Sequence, residues 1–401
     1  MKLKHLLILL LLSFCSTPKE SNNSDETPEL KDFPNPSKNN SSLPYLITGK
    51  DGNLYMSWVE KRDSIWVDFN YSFLKNDEWT EPEIIASGSD WFVNWADYPM
   101  LAVDKEGNKI AHYLAKSSSG TYSYDVNVVI KPKDSSNWST PVIPHADGTP
   151  TEHGFVTMIP NNDDTFLLAW LDGRNTESNH GHDHAGAMTL RSAVMDLKGE
   201  LSEQTELDAR VCDCCHTTGT QTPEGVILAY RDRSLDEIRD IGFIHKKNSA
   251  WSKPQFVSSD AWEIKGCPVN GPRISSFNNS VAIAWYTEAL SKPTVKVAFK
   301  TDSSFSNPII IDQTSPVGRV DIEMISDEKT IVSWIDGGDD PAIKYRVVNK
   351  NGTMSSTKTV STISAARGSG FPQIEVFNNA LYIAWTDFEN QKIRMKRISL
   401  D

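Results

Sequence analysis

The chain has 401 residues, of which 38% are hydrophobic and 12 are tryptophan, and its 53 acidic residues against 40 basic ones give a formal net charge of −13. That apolar and aromatic content suits a packed core and excludes a chain that is disordered throughout. The acidic excess would repel a phosphate backbone, so nucleic acid is excluded as the expected partner.

The first element reads as a targeting signal. Lys2 and Lys4 precede an apolar run from Leu6 to Leu12 that is too short to span a bilayer. The run ends in Leu12-Ser13-Phe14-Cys15, which resembles the lipobox of bacterial lipoproteins, although Phe14 departs from the small residue usual before the cysteine. The resemblance implies a lipoprotein signal peptide over residues 1–15, lipidation of Cys15 and a membrane lipoprotein outside the cytoplasm, either periplasmic or on the cell surface. Ordinary signal cleavage, with Cys15 incidental, is the alternative. Residues 16–42 are rich in Ser, Asn, Pro, Lys and Glu and read as a flexible polar linker.

The remainder, 43–401, carries a repeat. Seven apolar segments lead to an aromatic residue: MSWVE, AHYLA, LAWLD, LAYRD, IAWYT, VSWID and IAWTD. Their aromatics are Trp58, Tyr113, Trp170, Tyr230, Trp285, Trp334 and Trp385, separated by 55, 57, 60, 55, 49 and 51 residues. That period fits a four-stranded blade with its loops. A second register reads aromatic-Ser/Thr-x-Pro at Trp79, Trp138, Trp251 and Phe305, which lie 21, 25, 21 and 20 residues after their markers. Proline suits an outer strand, which can spare a backbone donor. The expected fold is therefore all-β, a propeller of seven four-stranded blades and a monomer, with six or eight blades as alternative counts. The last repeat shows three strands, and the segment near Leu30 to Phe33 is the candidate for its fourth. Five markers are followed two places on by an acid (Glu60, Asp172, Asp232, Asp336 and Asp387), read as structural loop anchors.

In such a blade, the loops between second and third strands and the loops between blades open on one face, where functional residues are expected. The inter-blade loops carry Asp97, Glu152-His153-Gly154, Cys212-Asp213-Cys214-Cys215-His216, Cys267 with Asn270, Arg319 and Arg367. The loops within blades add Asp172 and Arg174, a His180-x-His182-x-His184 run, and Arg231, Asp232 and Arg233 with Glu237, Arg239 and Asp240. Arg174, Arg231, Arg233, Arg273, Arg319 and Arg367 around one channel would suit a carboxylate ligand, or else each pairs with a neighbouring acid.

With Cys15 set aside, four cysteines remain, and three readings stay open for Cys212, Cys214, Cys215 and Cys267. Two disulfides is the first, though adjacent Cys214 and Cys215 are poorly placed to bridge each other. A Zn or Cu site of thiolates with His216, and with His153 if it lies near, is the second. Thiol redox chemistry is the third.

The repeat, the Trp-Ser-x-Pro edges and the blade period resemble the sialidase-like, BNR-repeat propellers across nearly all of 43–401. The stretches RVCDCCHT, AYRDRSLDEIRDI and GCPVNGP are similar to the middle of secreted bacterial proteins of the exo-alpha-sialidase-like group. The resemblance implies a propeller and, for a true sialidase, an arginine triad, Asp boxes, an Asp acid/base and a Tyr-Glu pair. This sequence has neither the arginine motif nor an intact Asp box, so no catalytic residue carries over. Tyr286 with Glu288, or Asp97 with Tyr98, are the pairs that could be offered for those roles. The expected function is binding of a metal, glycan or protein on the loop face. A sialidase-like glycoside hydrolase and a metal-handling or thiol redox protein are the alternatives.

Overall fold

The structure is a computed structural model that describes residues 30–176 and 186–400. The lipidation site Cys15 and the His180, His182 and His184 run lie outside the described residues. Among the described residues the strands form seven antiparallel sheets, the blades of one propeller. The innermost strands are Ser41–Thr48, Met100–Val103, His153–Pro160, Thr218–Thr222, Arg273–Phe277, Pro316–Ser326 and Gln373–Phe377. Each pairs with a second strand, in order Leu54–Lys61, Lys109–Lys116, Phe166–Asp172, Gly225–Arg231, Ser280–Thr287, Lys329–Asp336 and Ala380–Asp387.

All seven aromatic markers lie on those second strands and are buried, from 0% exposure at Trp58 and Trp285 to 8% at Tyr113. Each packs toward the preceding blade. Trp58 sits with Tyr382 and Met395 of blade seven, Trp170 with Val126 and Val128 of blade two, Trp285 with Phe243 of blade four, and Trp385 with Tyr345 of blade six. The anchor reading of the following acid holds for Glu60 and Asp172, which accept the indole N–H of Trp58 and Trp170 at 2.8 Å. In blades five and six the indole instead reaches back one blade, to Asp260 at 2.7 Å and Asp312 at 2.9 Å.

The second register is a clamp. At Thr80, Ser139, Ser252 and Ser306 the backbone N–H donates to a third-strand carbonyl, while the hydroxyl accepts the N–H of that same residue: Phe73, Ile130, His245 and Phe299. The proline two places later has no N–H to offer, and the outer strand breaks there. In blades one and four it is split into Glu78–Trp79 and Glu83–Gly88, and into Ala250–Trp251 and Gln255–Phe256. Blade two departs from the four-strand plan. Beyond its third strand, Tyr124–Lys131, the outer position is a loop held by the Ser139 clamp on Ile130, a bridge from Val128 to Val142 and the Val126 N–H donated to His145.

The ring closes on the N-terminal segment as the repeat suggests. Lys31–Asp32 is the outer strand of blade seven, paired with Arg397 and Lys396. Phe33 N–H continues to Met395 O at 3.0 Å, and its ring meets Tyr382 edge-on at 5.3 Å. The linker boundary at 42 is thereby corrected, since the residues from Lys31 onward belong to the propeller. A polar Ser/Asn/Pro composition reads as tether, but an added edge strand needs only backbone donors and acceptors. Deleting residues through Asn35 is expected to lower the thermal midpoint by several degrees and promote self-association through the bared Lys392–Ser399 edge. Calorimetry and sedimentation read this, and an unchanged midpoint would count against the closure.

Candidate functional site

The loop face is built first by the way each innermost strand enters the ring. Leu43, Phe155 and Arg319 occupy equivalent bulges with φ of 56°, 52° and 51°. Left-handed backbone is unfavourable for such side chains, so something must hold it. In each case a side chain of the preceding blade or inter-blade loop accepts the bulge N–H: Thr386 Oγ1 at 3.0 Å, Asp97 Oδ1 at 2.9 Å and Asn270 Oδ1 at 2.7 Å. Asn270 also donates to the carbonyls of Pro268 and Val317, each at 3.2 Å. Asp97 and Asn270, expected to bind a ligand, are thus cross-braces between blades. Burial raises the Asp97 pKa well above the usual carboxylate range, and a Cβ at Gly154 would collide with its carboxyl group.

The arginines divide in the same way. Arg231, 1% exposed, donates to the carbonyls of Asn270, Arg239 and Tyr286 and lies over the Trp262 ring at 4.9 Å, tying blade four to blade five. Arg174 forms a two-pronged pair with Asp172 at 2.7 Å. Arg233 bridges Glu237 at 2.7 Å and Asp213 at 2.9 Å. Arg319 donates to the carbonyls of Ala366 and Gly370 across to blade seven, over the Trp95 ring at 4.8 Å. Arg273 is held in the channel by Tyr98, and Arg367 is exposed at the rim. Of the two readings of the arginines, engagement within the protein is the one seen: all of these guanidiniums but that of Arg367 are bonded to the protein's own acids, carbonyls or phenol, and Arg231 and Arg319 take carbonyls where an acid was the suggested partner. Tyr286 and Glu288 touch only at 3.5 Å.

The cysteines do converge. The side chains of Cys212 and Cys215 are buried, Cys214 is partly so and Cys267 is exposed, all as free thiols. The sulfurs of Cys212, Cys214 and Cys215 lie within 4.8 Å of one another, with Cys212 and Cys215 at 3.5 Å. Cys267, from the next inter-blade loop, reaches Cys214, whose pKa is raised well above the ordinary value by contacts to Cys212, Cys215 and Cys267. Arg239 Nη1 donates to Cys212 Sγ at 3.2 Å and is itself held by Glu237 at 2.8 Å. Burial works against a thiolate at Cys212. The Cys214 and Cys215 thiols and the charges of Arg239 and Arg231 outweigh it and pull its pKa well below the ordinary value.

The histidines expected beside these thiols are elsewhere. His216 points among the rings of Tyr98 at 4.6 Å, Phe371 at 4.9 Å and Phe155 at 5.6 Å, and burial holds its pKa well down, so it is neutral. His153 is bonded to Asp147 at 3.1 Å and stacked on His145 at 3.8 Å, in a group between blades two and three with Asp125 and Asp172. His145, Asp147 and Asp125 were missed in the sequence because no motif marks them: the first two occupy the irregular outer loop of blade two and Asp125 the start of its third strand. Two further acids are perturbed. Glu152, bonded to the Tyr124 hydroxyl, is pushed up to about 7 by burial, and Asp232 is pushed up to about 7 by burial and by Asp208 and Asp240.

No family model matches the sequence, and no curated protein does. Among solved structures, the BP39L lectin from Burkholderia pseudomallei is similar with a TM-score of 0.63 at 11% identity, over 90% of this chain and 96% of that one. The polysaccharide lyase Uly1 is similar with a TM-score of 0.52 at 9% identity, over 87% and 88% of the two chains. The NanB sialidase from Streptococcus pneumoniae is among the matches with a TM-score of 0.46 at 11% identity, over 91% of this chain and 69% of that one. At such identities the likeness is one of propeller fold alone, and the sialidase superposes too loosely to support an argument.

Two outcomes follow from this geometry. Asn270→Ala leaves the buried N–H of Arg319 without a partner and is expected to cost about 1–3 kcal/mol in denaturant unfolding, with the metal content of the protein unchanged. The raised pKa of Glu152 means that the folded state holds a proton there which the unfolded chain releases near pH 4.5. Its contribution to stability is therefore full below that pH and lost as the pH rises through about 7. The buried histidines, whose pKa values are lowered, act in the opposite sense below about pH 6.5, so the Glu152 contribution is read as a difference from a variant. The stability of the unaltered protein relative to Glu152→Gln, from denaturant unfolding, should fall as the pH rises from 4.5 to about 7, and a pH-independent difference would count against it.

Proposed function

We propose that the chain is an extracytoplasmic propeller, tethered through acylated Cys15, that binds a soft metal ion, Cu(I) or Zn(II), on its loop face through Cys212, Cys214 and Cys215, with Cys267 as fourth donor. The observation that carries this reading is the convergence of three sulfurs within 4.8 Å from one loop, with a fourth arriving from the next. Zn–S bonds of about 2.3 Å in a tetrahedron put sulfurs about 3.8 Å apart, near the 3.5 Å between Cys212 and Cys215. Arg239 and Arg231 supply the positive charge that a cluster of thiolates requires. The Cys212-x-x-Cys215 spacing with its depressed Cys212 pKa also suits thiol exchange. However, Cys212 and Cys215 are each 1% exposed, and exchange needs in-line access to the attacked sulfur.

A glycan ligand on the same face is the second reading. It is supported by a cavity of about 190 Å³ where Trp95 and Phe388 stand beside Asn40, Asn94 and Thr386, aromatic faces next to amides and a hydroxyl. Hydrolysis of sialosides has less support, since the guanidiniums that would hold an acidic sugar are engaged as described.

Purified anaerobically, the protein is expected to carry about one equivalent of Cu or Zn that depends on the thiols, read by elemental analysis as the difference from the serine variants. Cys212→Ser or Cys215→Ser should lose it while keeping the β-sheet circular dichroism. Two disulfides by non-reducing peptide mapping, with no bound metal, would sink the reading. For the second reading, a glycan array should show binding that Phe388→Ala weakens.

A further inference from the structure

We infer that blades two and three hold a second cation site of different chemistry, in which a divalent transition-metal ion is ligated by Nδ1 of His153, a carboxylate oxygen of Asp125 and, as third ligand, Nε2 of His145. The inference does not rest on the thiol site. It starts from the one blade that departs from the repeat. Where the other blades lay down an outer strand, blade two sends a loop back over the loop face, and that loop carries His145 and Asp147. Asp125 stands at the start of the third strand of the same blade, and His153 opens the innermost strand of blade three.

The tautomer of His153 is set by its partner. Nε2 lies 3.1 Å from Asp147 Oδ2 and donates to that carboxylate, which in the neutral ring leaves the lone pair on Nδ1. A carboxylate behind the imidazole in this way is the usual outer support of a metal-bound histidine. Nδ1 has no hydrogen-bond partner, and the residue is 0% exposed. What it faces is Asp125 Oδ1 at 3.7 Å, beyond hydrogen-bond reach. Nδ1 of His153, fully buried, and Oδ1 of Asp125 thus face each other without a direct hydrogen bond, an arrangement that a cation between them would satisfy.

His145 Nε2 stands 3.9 Å from the same Asp125 oxygen, and the three donor atoms fall within 4.8 Å of one another. His145 is the moving part. Its Nε2 accepts the Val126 N–H at 3.1 Å, and its ring lies parallel to that of His153 within 1°. To share an ion it must tilt out of that stack. Arg174 pairs with Asp172 at 2.7 Å and reaches Asp147 at 3.3 Å, Arg191 stands 3.9 Å from Asp172, and Asp125 faces His145 and His153 with no Arg or Lys ion pair among the described residues. The Asp125 side chain is 23% exposed and gives the ion its entry. Imidazole with carboxylate suits Zn(II), Co(II), Ni(II) or Cu(II), and not the Cu(I) that thiolates favour.

The experiment is a Co(II) titration of the full chain with Cys212, Cys214, Cys215 and Cys267 all changed to Ser, alongside the unaltered protein. The serine variant is expected to take up one Co(II), seen in the visible ligand-field bands without sulfur-to-cobalt charge transfer. His153→Ala and Asp125→Asn in that background should each weaken binding at least about tenfold, and Asp147→Asn by about 10–100-fold through the lost tautomer support. If the serine variant fails to fold, the unaltered protein serves instead. Its Co(II) stoichiometry should drop by one in Asp125→Asn, whose side chain is partly solvated, while the charge-transfer band stays. A folded serine variant that binds no Co(II), or a His153→Ala variant with undiminished affinity, overturns the proposal. Loss of the charge-transfer band alone would count against the thiol site and leave this one standing.

Discussion

The structure depends on the fact that every sheet in it is apolar on both faces. A blade whose second strand buries residues on successive positions, as Leu54–Val59 and Phe166–Asp172 do, cannot present either face to water. It must be covered by a neighbour on each side, and a series of twisted sheets obeying that rule closes into a ring. The seven aromatic markers express this constraint at its most costly point, because each places a large ring against the preceding blade. Breaking the ring at any one interface would expose two faces at once, and for that reason the last interface is secured by a strand from the other end of the chain.

A closed ring leaves a second problem, since the innermost strands crowd together at the channel and must bend to enter it. The left-handed bulges at Leu43, Phe155 and Arg319 are that bend, and Thr386, Asp97 and Asn270 hold it from the neighbouring blade or loop. Much of the polar character of the loop face therefore belongs to construction. Arg231, reaching three backbone carbonyls, is the strongest example. Subtracting these braces leaves two groups that the fold does not need in order to stand: the thiols of blades three to five, and the imidazole and carboxylate group between blades two and three.

Those two groups share a logic. Each gathers donors from more than one sequence segment, each is backed by a charged residue that tunes a donor atom, and each lies at an edge of the ring where loops replace strands. Arg239 does for Cys212 what Asp147 does for His153. The donor sets differ in softness, thiolates in one and imidazole with carboxylate in the other.

The repeat was legible in the sequence because its information is local. A marker every fifty or so residues, a Ser/Thr clamp before a proline and an alternation of strand and turn are all read within one blade, and one blade determines the packing demand of the next. The closing strand near Leu30 to Phe33 was legible too, as the missing fourth member of the last repeat. The convergence of the cysteines followed once the loops were assigned to a face. What only the tertiary structure decided is which side chain meets which across a blade boundary. Asp97 and Asn270 look like ligand-binding residues until a bulge in another blade claims them. His216 sits next to Cys215 in sequence yet points into the channel, and His153 pairs with His145 and Asp147 from a loop that carries no motif. Partners of that kind are fixed by the angle at which seven sheets close, a property of the whole ring that no single segment contains.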